Sequence, residues 1–274
     1  MTDLIFDANS LFARCWFAVR EDPDACLRAV VLSVLQLMDP EHSGRIGVPI
    51  SRTLFAWDGK SKTQKNHKAK SQEYVDTRRE LQEALLTLFG TDHAFHPDYE
   101  ADDIVATAVF NSNARQIYVV SGDKDLMQLH ESSVAYYCLN AKHVLSSLSI
   151  CSRFGVKRPA QASIALAIMG DSGDGIPGIP KWGPKKVRKL FESVTEEMNY
   201  SQALEVIQSQ IPAELQACFL ESLDKTLLHN NVPGVPPPAP LAFCTYHELE
   251  KLDIMGIDKT YERVAARYGE DYAD

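Results

Sequence analysis

Short apolar runs alternate with longer amphipathic ones along the first half of the chain. Leu4-Ile5-Phe6, Thr53 to Trp57, Gln116 to Val120 and Val134 to Leu139 are short and rich in apolar, β-branched or aromatic side chains, which predicts buried strands. Between them, Leu11 to Trp16 and Leu27 to Met38 are apolar at helical spacing, the second stopping before Pro40. Leu81, Leu85, Leu86, Leu88 and Phe89 mark a helix ending at Gly90, and Ile104 to Phe110 mark another, while Glu41 to Pro49 reads as a loop. This alternation predicts an α/β fold, with a mainly parallel central sheet and helices on both faces. From Ser152 the pattern turns helical: Ala160 to Met169 is a compact apolar helix, more helices run to about Leu228, Pro233 to Pro240 is a proline-rich linker, and His247 to Tyr268 is one last helix. The predicted organisation is an α/β core over 1–155 with a basic segment at about 60–85, a helical region over 156–230, and a linker with a C-terminal helix over 231–274.

The composition, 45% hydrophobic and 24% charged over 274 residues, is that of a globular protein with one large domain or two modest ones. No apolar run approaches the roughly 20 residues of a membrane span, and the N-terminus lacks the basic-then-apolar pattern of a secretory signal. Cys15, Cys26, Cys138, Cys151, Cys218 and Cys244 are scattered without a C-x-x-C pair, which leaves zinc and redox motifs unsupported and fits a reducing cytoplasm. A net charge of −9 argues at first against nucleic acid, but the charges are segregated. Lys60, Lys62, Lys65, Lys68 and Lys70, then Arg78 and Arg79, face only Glu73 and Asp76 nearby. The segment reads either as a solvated surface loop or as an element that meets phosphates.

The acids carry the chemistry. Asp7 ends the first strand, with Arg14 one helical turn beyond Ser10; Asp58-Gly59 ends the second; Ser121-Gly122-Asp123-Lys124-Asp125 follows the strand at 116–120. A lone Asp in such a place is usually a turn or cap residue, but parallel sheets gather function at the C-terminal ends of their strands, and here several strands deliver acids there. Tyr99-Glu100-Ala101-Asp102-Asp103 adds three carboxylates at a helix start. That stretch alone fits a solvated, acid-rich first turn as well as it fits a cation site. The other strand-end acids favour the cation. Met169-Gly170-Asp171 and Asp174 then lead into a glycine-rich turn with Gly178, Lys181, Trp182 and Gly183, opening a basic helix at Lys185 and Lys186. Such a turn offers backbone amides and lysines to a phosphate without reading bases; a Gly/Pro-rich surface loop is the plainer alternative.

Taken in order over residues 1 to 230, these elements resemble the 5′-nuclease family, also called flap endonucleases, which includes the N-terminal domain of bacterial DNA polymerase I and the 5′–3′ exonucleases of bacteriophages. The resemblance implies metal-binding carboxylates at Asp7, Asp58, Glu100, Asp102, Asp103, Asp123, Asp125, Asp171 and Asp174, with every acidic position filled. It makes the basic segment a helical arch over a single-stranded 5′ end, with Lys60, Lys62, Lys65, Lys70, Arg78 and Arg79 on DNA, and Lys68 and Arg14 at the scissile phosphate. It makes the glycine-rich turn a helix–three-turn–helix motif, with Gly178, Lys181, Gly183, Lys185 and Lys186 on duplex and carbonyls that hold K⁺ in relatives. Two departures stand out. His67-Lys68-Ala69-Lys70-Ser71 lies where many members have Tyr-Lys-x-x-Arg, leaving Lys70, Arg78 or Arg79 for the arginine, and Lys181-Trp182 replaces the residues before Gly183.

Oxygen-only ligands select hard cations, so two Mg²⁺, replaceable by Mn²⁺, are expected: one on Asp7, Asp58, Glu100 and Asp102, the other served by the remaining acids. The implied protein is a stand-alone, monomeric 5′–3′ exonuclease or flap endonuclease in the cytoplasm of a bacterium or phage-infected host. It would cut DNA flaps, nicks and junctions, and RNA–DNA hybrids, in primer removal, replication and repair, beside replication proteins. The alternatives are a PIN-like ribonuclease, which shares the strand-end acids, and a non-catalytic DNA-structure binder.

Overall fold

A computed structural model describes residues 1–39, 46–59, 71–91 and 93–268. β1 (Thr2–Asp7) is buried from Asp3 onward, as a central parallel strand must be, and it runs directly into α1 (Ala8–Ala18). The Asp7 side chain caps that helix by accepting the Ser10 N–H at 2.9 Å. α2 (Pro23–Met38) starts from Asp22 as cap and Pro23 in its first turn. β2 (Arg52–Trp57), α3 (Gln72–Phe89), β3 (His93–Phe95), α4 (Ala101–Asn111), β4 (Gln116–Ser121), a 3₁₀ turn at Asp125–Leu129, β5 (Val134–Cys138) and β6 (His143–Val144) complete the α/β half. Then come α5 (Ser147–Phe154), α6 (Ala162–Met169), α7 (Pro184–Leu190), α8 (Tyr200–Ser209), α9 (Ala213–Thr226), β7 (Ala239–Pro240), α10 (Tyr246–Lys251) and α11 (Asp258–Arg267).

The sheet order is β3-β2-β1-β4-β5-β6, with β1 to β5 parallel and β6 antiparallel at one edge. β1 pairs with both β2 and β4, so the winding direction reverses between β1 and β4. In doubly wound sheets that reversal opens a crevice beyond the carboxyl ends of the strands. Helices cover both faces. On one, Leu4, Phe6, Phe55 and Trp57 pack with α1, α2 and α3; on the other, Ile5, Leu54 and Val119 pack with α4, α6 and α9.

The C-terminal segment departs from the sequence expectation. Instead of one helix from His247 to Tyr268, two helices flank a turn in which Asp253 (φ 49°) and Gly256 (φ 75°) are left-handed. The break lets Leu249, Ile257 and Tyr261 all reach the α2–α3 face, where the Tyr261 hydroxyl donates to Leu88 O at 2.8 Å. The proline-rich stretch contains β7, which pairs antiparallel with Arg52 and Thr53 at the start of β2. Short β3 covers only Phe55 to Trp57, so that edge of β2 is open for it.

Candidate metal centre and nucleic-acid face

The strand ends deliver the acids into the β1/β4 crevice. Asp7 is nearly fully buried, and the Ser121 hydroxyl at the end of β4 donates to its Oδ2 at 2.6 Å. The same Ser121 oxygen accepts the Asp123 N–H at 2.8 Å, and Asp123 Oδ1 accepts the Asp125 N–H at 2.9 Å. One short hydroxyl thus fixes the spacing between two strand-end carboxylates. Asp58 reaches α4 in the same manner: its Oδ1 accepts the Ala101 N–H at 2.9 Å, so the cap of α4 comes from β2 rather than from Glu100. Gly59 makes that approach possible, because its N–H donates to Tyr99 O at 3.0 Å and a Cβ there would lie 1.9 Å from His96 O. Asn9 donates to the other Asp58 oxygen while its own Oδ1 is buried without a hydrogen-bond partner.

Asp171 and Asp174 arrive from the loop after α6. That loop is fastened where Gly178 (φ 64°) crosses Gly170; a Cβ on Gly178 would lie 2.4 Å from Gly170 N. Lys124 ties this loop to the β4 end, its ammonium hydrogen-bonded to Asp171 Oδ2 and 3.6 Å from Asp174 Oδ2.

The acids feel one another. Burial, with repulsion from Asp123 and Asp58, pushes the Asp7 carboxyl up to about 7 against the two hydrogen bonds it accepts. Burial and the charges of Asp103, Glu100 and Asp123 raise Asp102 well above the ordinary range. Asp125 rises to about 7 through burial and repulsion from Asp123, Asp174 and Asp171, with Lys124 opposing. Burial also raises Asp103, against the hydrogen bond its Oδ1 accepts from His229 N–H at 2.8 Å. Glu100, Asp102, Asp103 and Asp125 line one cavity of about 270 Å³ together with Thr226 to His229.

Among the described residues, no three of these side chains converge as ligands on one point. The donor set nevertheless fits a hard divalent cation. It is all carboxylate oxygen, burial and mutual repulsion push Asp7, Asp102 and Asp125 toward protonation, and Asp125 Oδ1 is buried with no hydrogen-bond partner.

Residues 2–155 match the model of the 5′-3′ exonuclease N-terminal resolvase-like domain. The chain belongs to the 5′-3′ exonuclease family. It is 25% identical over 238 residues to the DNA polymerase I of Caldicellulosiruptor bescii, covering 78% of this chain but only 27% of the polymerase. It is 28% identical over 196 residues to the flap endonuclease Xni of Shewanella putrefaciens, covering 69% of this chain and 74% of that protein. In fold it is similar to the bacteriophage T5 flap endonuclease solved with DNA and metal ions, with a TM-score of 0.61 at 18% identity, covering 98% of this chain and all of the other.

Within this 5′-3′ exonuclease relative, the expected basic residues divide. Lys60, Lys62, Lys65, Lys68 and Lys70 lie outside the described residues. Arg78 is half-buried beside the acids: it donates to Asp58 O at 3.1 Å and lies 5.0 Å from the Trp57 ring centroid. Arg79 is exposed and only 4.0 Å from Asp76. Arg14 is exposed at the rim, donating to Asn140 Oδ1 at 2.5 Å, and Asn140 in turn donates to Gly122 O at 3.3 Å. In the glycine-rich turn Lys181 takes a left-handed conformation (φ 67°), Lys185 is exposed, and Lys186 Nζ lies 4.5 Å over the Trp182 ring. The turn's carbonyls at Gly178, Ile179 and Gly183 already accept hydrogen bonds from Cys218, Trp182 and Lys186.

Sequence reasoning overlooked Asn9, Ser121, Lys124 and His229. Ser121 and Lys124 sit within the quoted Ser121-Gly122-Asp123-Lys124-Asp125 motif, which is the one signal that could have drawn attention to them.

Proposed function

We propose that this chain is a divalent-metal-dependent 5′–3′ exonuclease or flap endonuclease that hydrolyses DNA phosphodiesters near single-strand/duplex junctions. The observation that carries this reading is the set of carboxylates gathered at the β1/β4 crevice, mutually repelling and including a buried oxygen without a hydrogen-bond partner. Protein interiors do not hold such a set without a cation to neutralise it. Asp7, Asp58, Glu100 and Asp102 would hold one ion, and Asp103, Asp123, Asp125, Asp171 and Asp174 would serve a second, directly or through waters, one oxygen of Asp103 also accepting the His229 N–H. Bound there, Mg²⁺ or Mn²⁺ would lower the pKa of an attacking water and stabilise charge on the leaving oxygen.

The chain's own groups do the rest. Ser121 and Asn9 orient Asp7 and Asp58. Arg78, held beside Asp58, is the described cation best placed to meet a phosphate, with Lys68 as its expected companion. Exposed Lys181 and Lys185, with Lys186, would form a basic face for the duplex in the turn and helix that follow the Asp171–Asp174 loop. The likeness to polymerase I, Xni and T5 nucleases supports DNA as substrate.

The test is a 5′-flap duplex labelled at each end, with Mg²⁺ added or withheld by EDTA. Mg²⁺-dependent cuts near the junction are expected, and Asp102→Asn or Asp123→Asn should slow them by more than about a hundredfold. Asn keeps the Oδ1 that accepts the Asp125 N–H and removes a repelling charge, so the Asp123 variant should fold and melt no lower than the wild type. Binding without cleavage in either metal would favour a DNA-binding module, and cleavage confined to single-stranded RNA would favour a ribonuclease.

A further inference from the structure

Lys124 lies between two of the acids in sequence and among three of them in space. Its ammonium is hydrogen-bonded to Asp171, 3.6 Å from Asp174 Oδ2 and 3.9 Å from Asp125 Oδ1. Those carboxylates come from two separate regions, the turn after β4 and the loop after α6, so one cation bridges the α/β half to the helical half. The fit is incomplete. A lysine ammonium is a point charge with three donors, and at 3.9 Å it gives Asp125 Oδ1 attraction but no hydrogen bond, leaving that buried oxygen unsatisfied. A divalent ion takes six or more oxygens and could satisfy what the ammonium leaves. The lysine stem is long and flexible, and its side chain is 29% exposed, so it has somewhere to go.

We propose that Lys124 is a built-in counter-cation: in the metal-free protein its ammonium holds Asp125, Asp171 and Asp174 together, and a divalent ion must displace it to bind there. This rests on the metal-dependent nuclease reading above and adds a determinant of how tightly the second ion is held. Lys124 keeps the acidic cleft assembled before metal arrives, and the same charge weakens metal uptake. The two effects have opposite signs for one substitution, which separates this role from an ordinary stabilising ion pair.

The experiment uses the full chain stripped with EDTA, with Mn²⁺ binding followed by calorimetry and by electron paramagnetic resonance of the free ion, without DNA. Lys124→Met should lower the melting temperature of the metal-free protein yet bind Mn²⁺ at the weaker site roughly tenfold tighter, a gain of about 1.4 kcal/mol. Lys124→Arg, which keeps the charge, should stay near wild type. A Lys124→Met protein that folds only once Mn²⁺ is added would also support the role, since the ion then supplies the missing charge. Folded Lys124→Met that binds Mn²⁺ no tighter than wild type would overturn it. Wild-type protein that takes up no Mn²⁺ would be a different result, overturning the nuclease reading and this inference with it.

Discussion

Buried Asp3 and Asp125 show what separates a fully satisfied acid from one proposed to bind a metal ion. Asp3, at the opposite end of β1 from the crevice, is fully buried, but Arg52 binds both its oxygens at 2.7 and 2.8 Å and the Ser112 hydroxyl adds a third bond. Asp125 is almost as buried, and its Oδ1 has no hydrogen-bond partner. The difference should be visible in the pH dependence of the metal-free protein. Asp7 and Asp125 titrate near 7 when folded, against about 4 when unfolded. Between those values the native state binds more protons than the unfolded state, so stability falls as pH rises through that window. The melting temperature in EDTA should therefore drop from pH 5 to pH 8, and Mg²⁺ should flatten the decline. Asp125→Asn should stabilise the metal-free protein at pH 8 by on the order of 2 kcal/mol while losing activity. A variant whose melting profile in EDTA runs parallel to the wild type would refute the burial cost. Asp7, Asp58 and Asp123 were legible in the sequence because each follows an apolar run, so the strand that carries it also fixes where it stands. Asn9, Ser121 and the bridging of Lys124 were not, because their partners lie on strands and loops whose meeting depends on sheet order. Arg78 could not be told from Arg79 by spacing; only the face of α3 turned toward Trp57 decides it.

At the scale of elements, α7 and the turn before it carry the exposed lysines proposed to meet the duplex. Lys186 is steered over Trp182 while Lys185, Arg188 and Lys189 project to solvent, giving a basic face on a short helix. Lysines that neutralise phosphates release counterions, so they set the salt dependence of binding. Replacing Lys185 and Lys186 together by Glu should weaken affinity for a flap duplex and reduce the slope of log K against log salt by about 0.9 for each phosphate no longer neutralised. The measurement is a fluorescence-anisotropy titration at several salt concentrations in Ca²⁺, and an unchanged slope would remove the turn from the DNA interface. The starts of α2 and α3 were missed: the apolar pattern begins at Leu27 and at Leu81, whereas Asp22 and Ser71 cap helices that begin at Pro23 and Gln72. The C-terminal elements were not readable either, because a helical pattern of apolar residues is compatible with a break wherever tertiary packing rewards one. Here Leu249 and Tyr261 both reach the core only because the chain turns between them.

Across the whole molecule, the boundary expected near residue 155 marks a change in local pattern but not in packing. Ile5, Ile104, Val119 and Met127 of the α/β half share one buried cluster with Ile164, Ile168, Phe191 and Phe219 of the helical half. Polar ties cross the same boundary: the Val232 N–H donates to Thr107 Oγ1 at 3.0 Å, and Gln128 donates to Thr226 O at 3.1 Å. Sequence periodicity could show that each half has apolar faces, but not that two of those faces bury each other. A fragment of residues 1–155 would leave the α4 side of the sheet in water and forfeit roughly 25 cal/mol for each Å² uncovered. It would also lack Asp171 and Asp174, leaving Lys124 without two of its partners. The intact chain should therefore melt in a single cooperative transition, with near- and far-ultraviolet circular dichroism coinciding. The 1–155 fragment should bind hydrophobic dye and show no sharp transition. A fragment that melts cooperatively near the temperature of the full chain would mean that the α/β half carries its own core, and that the helical half is an attachment to it rather than one wall of it.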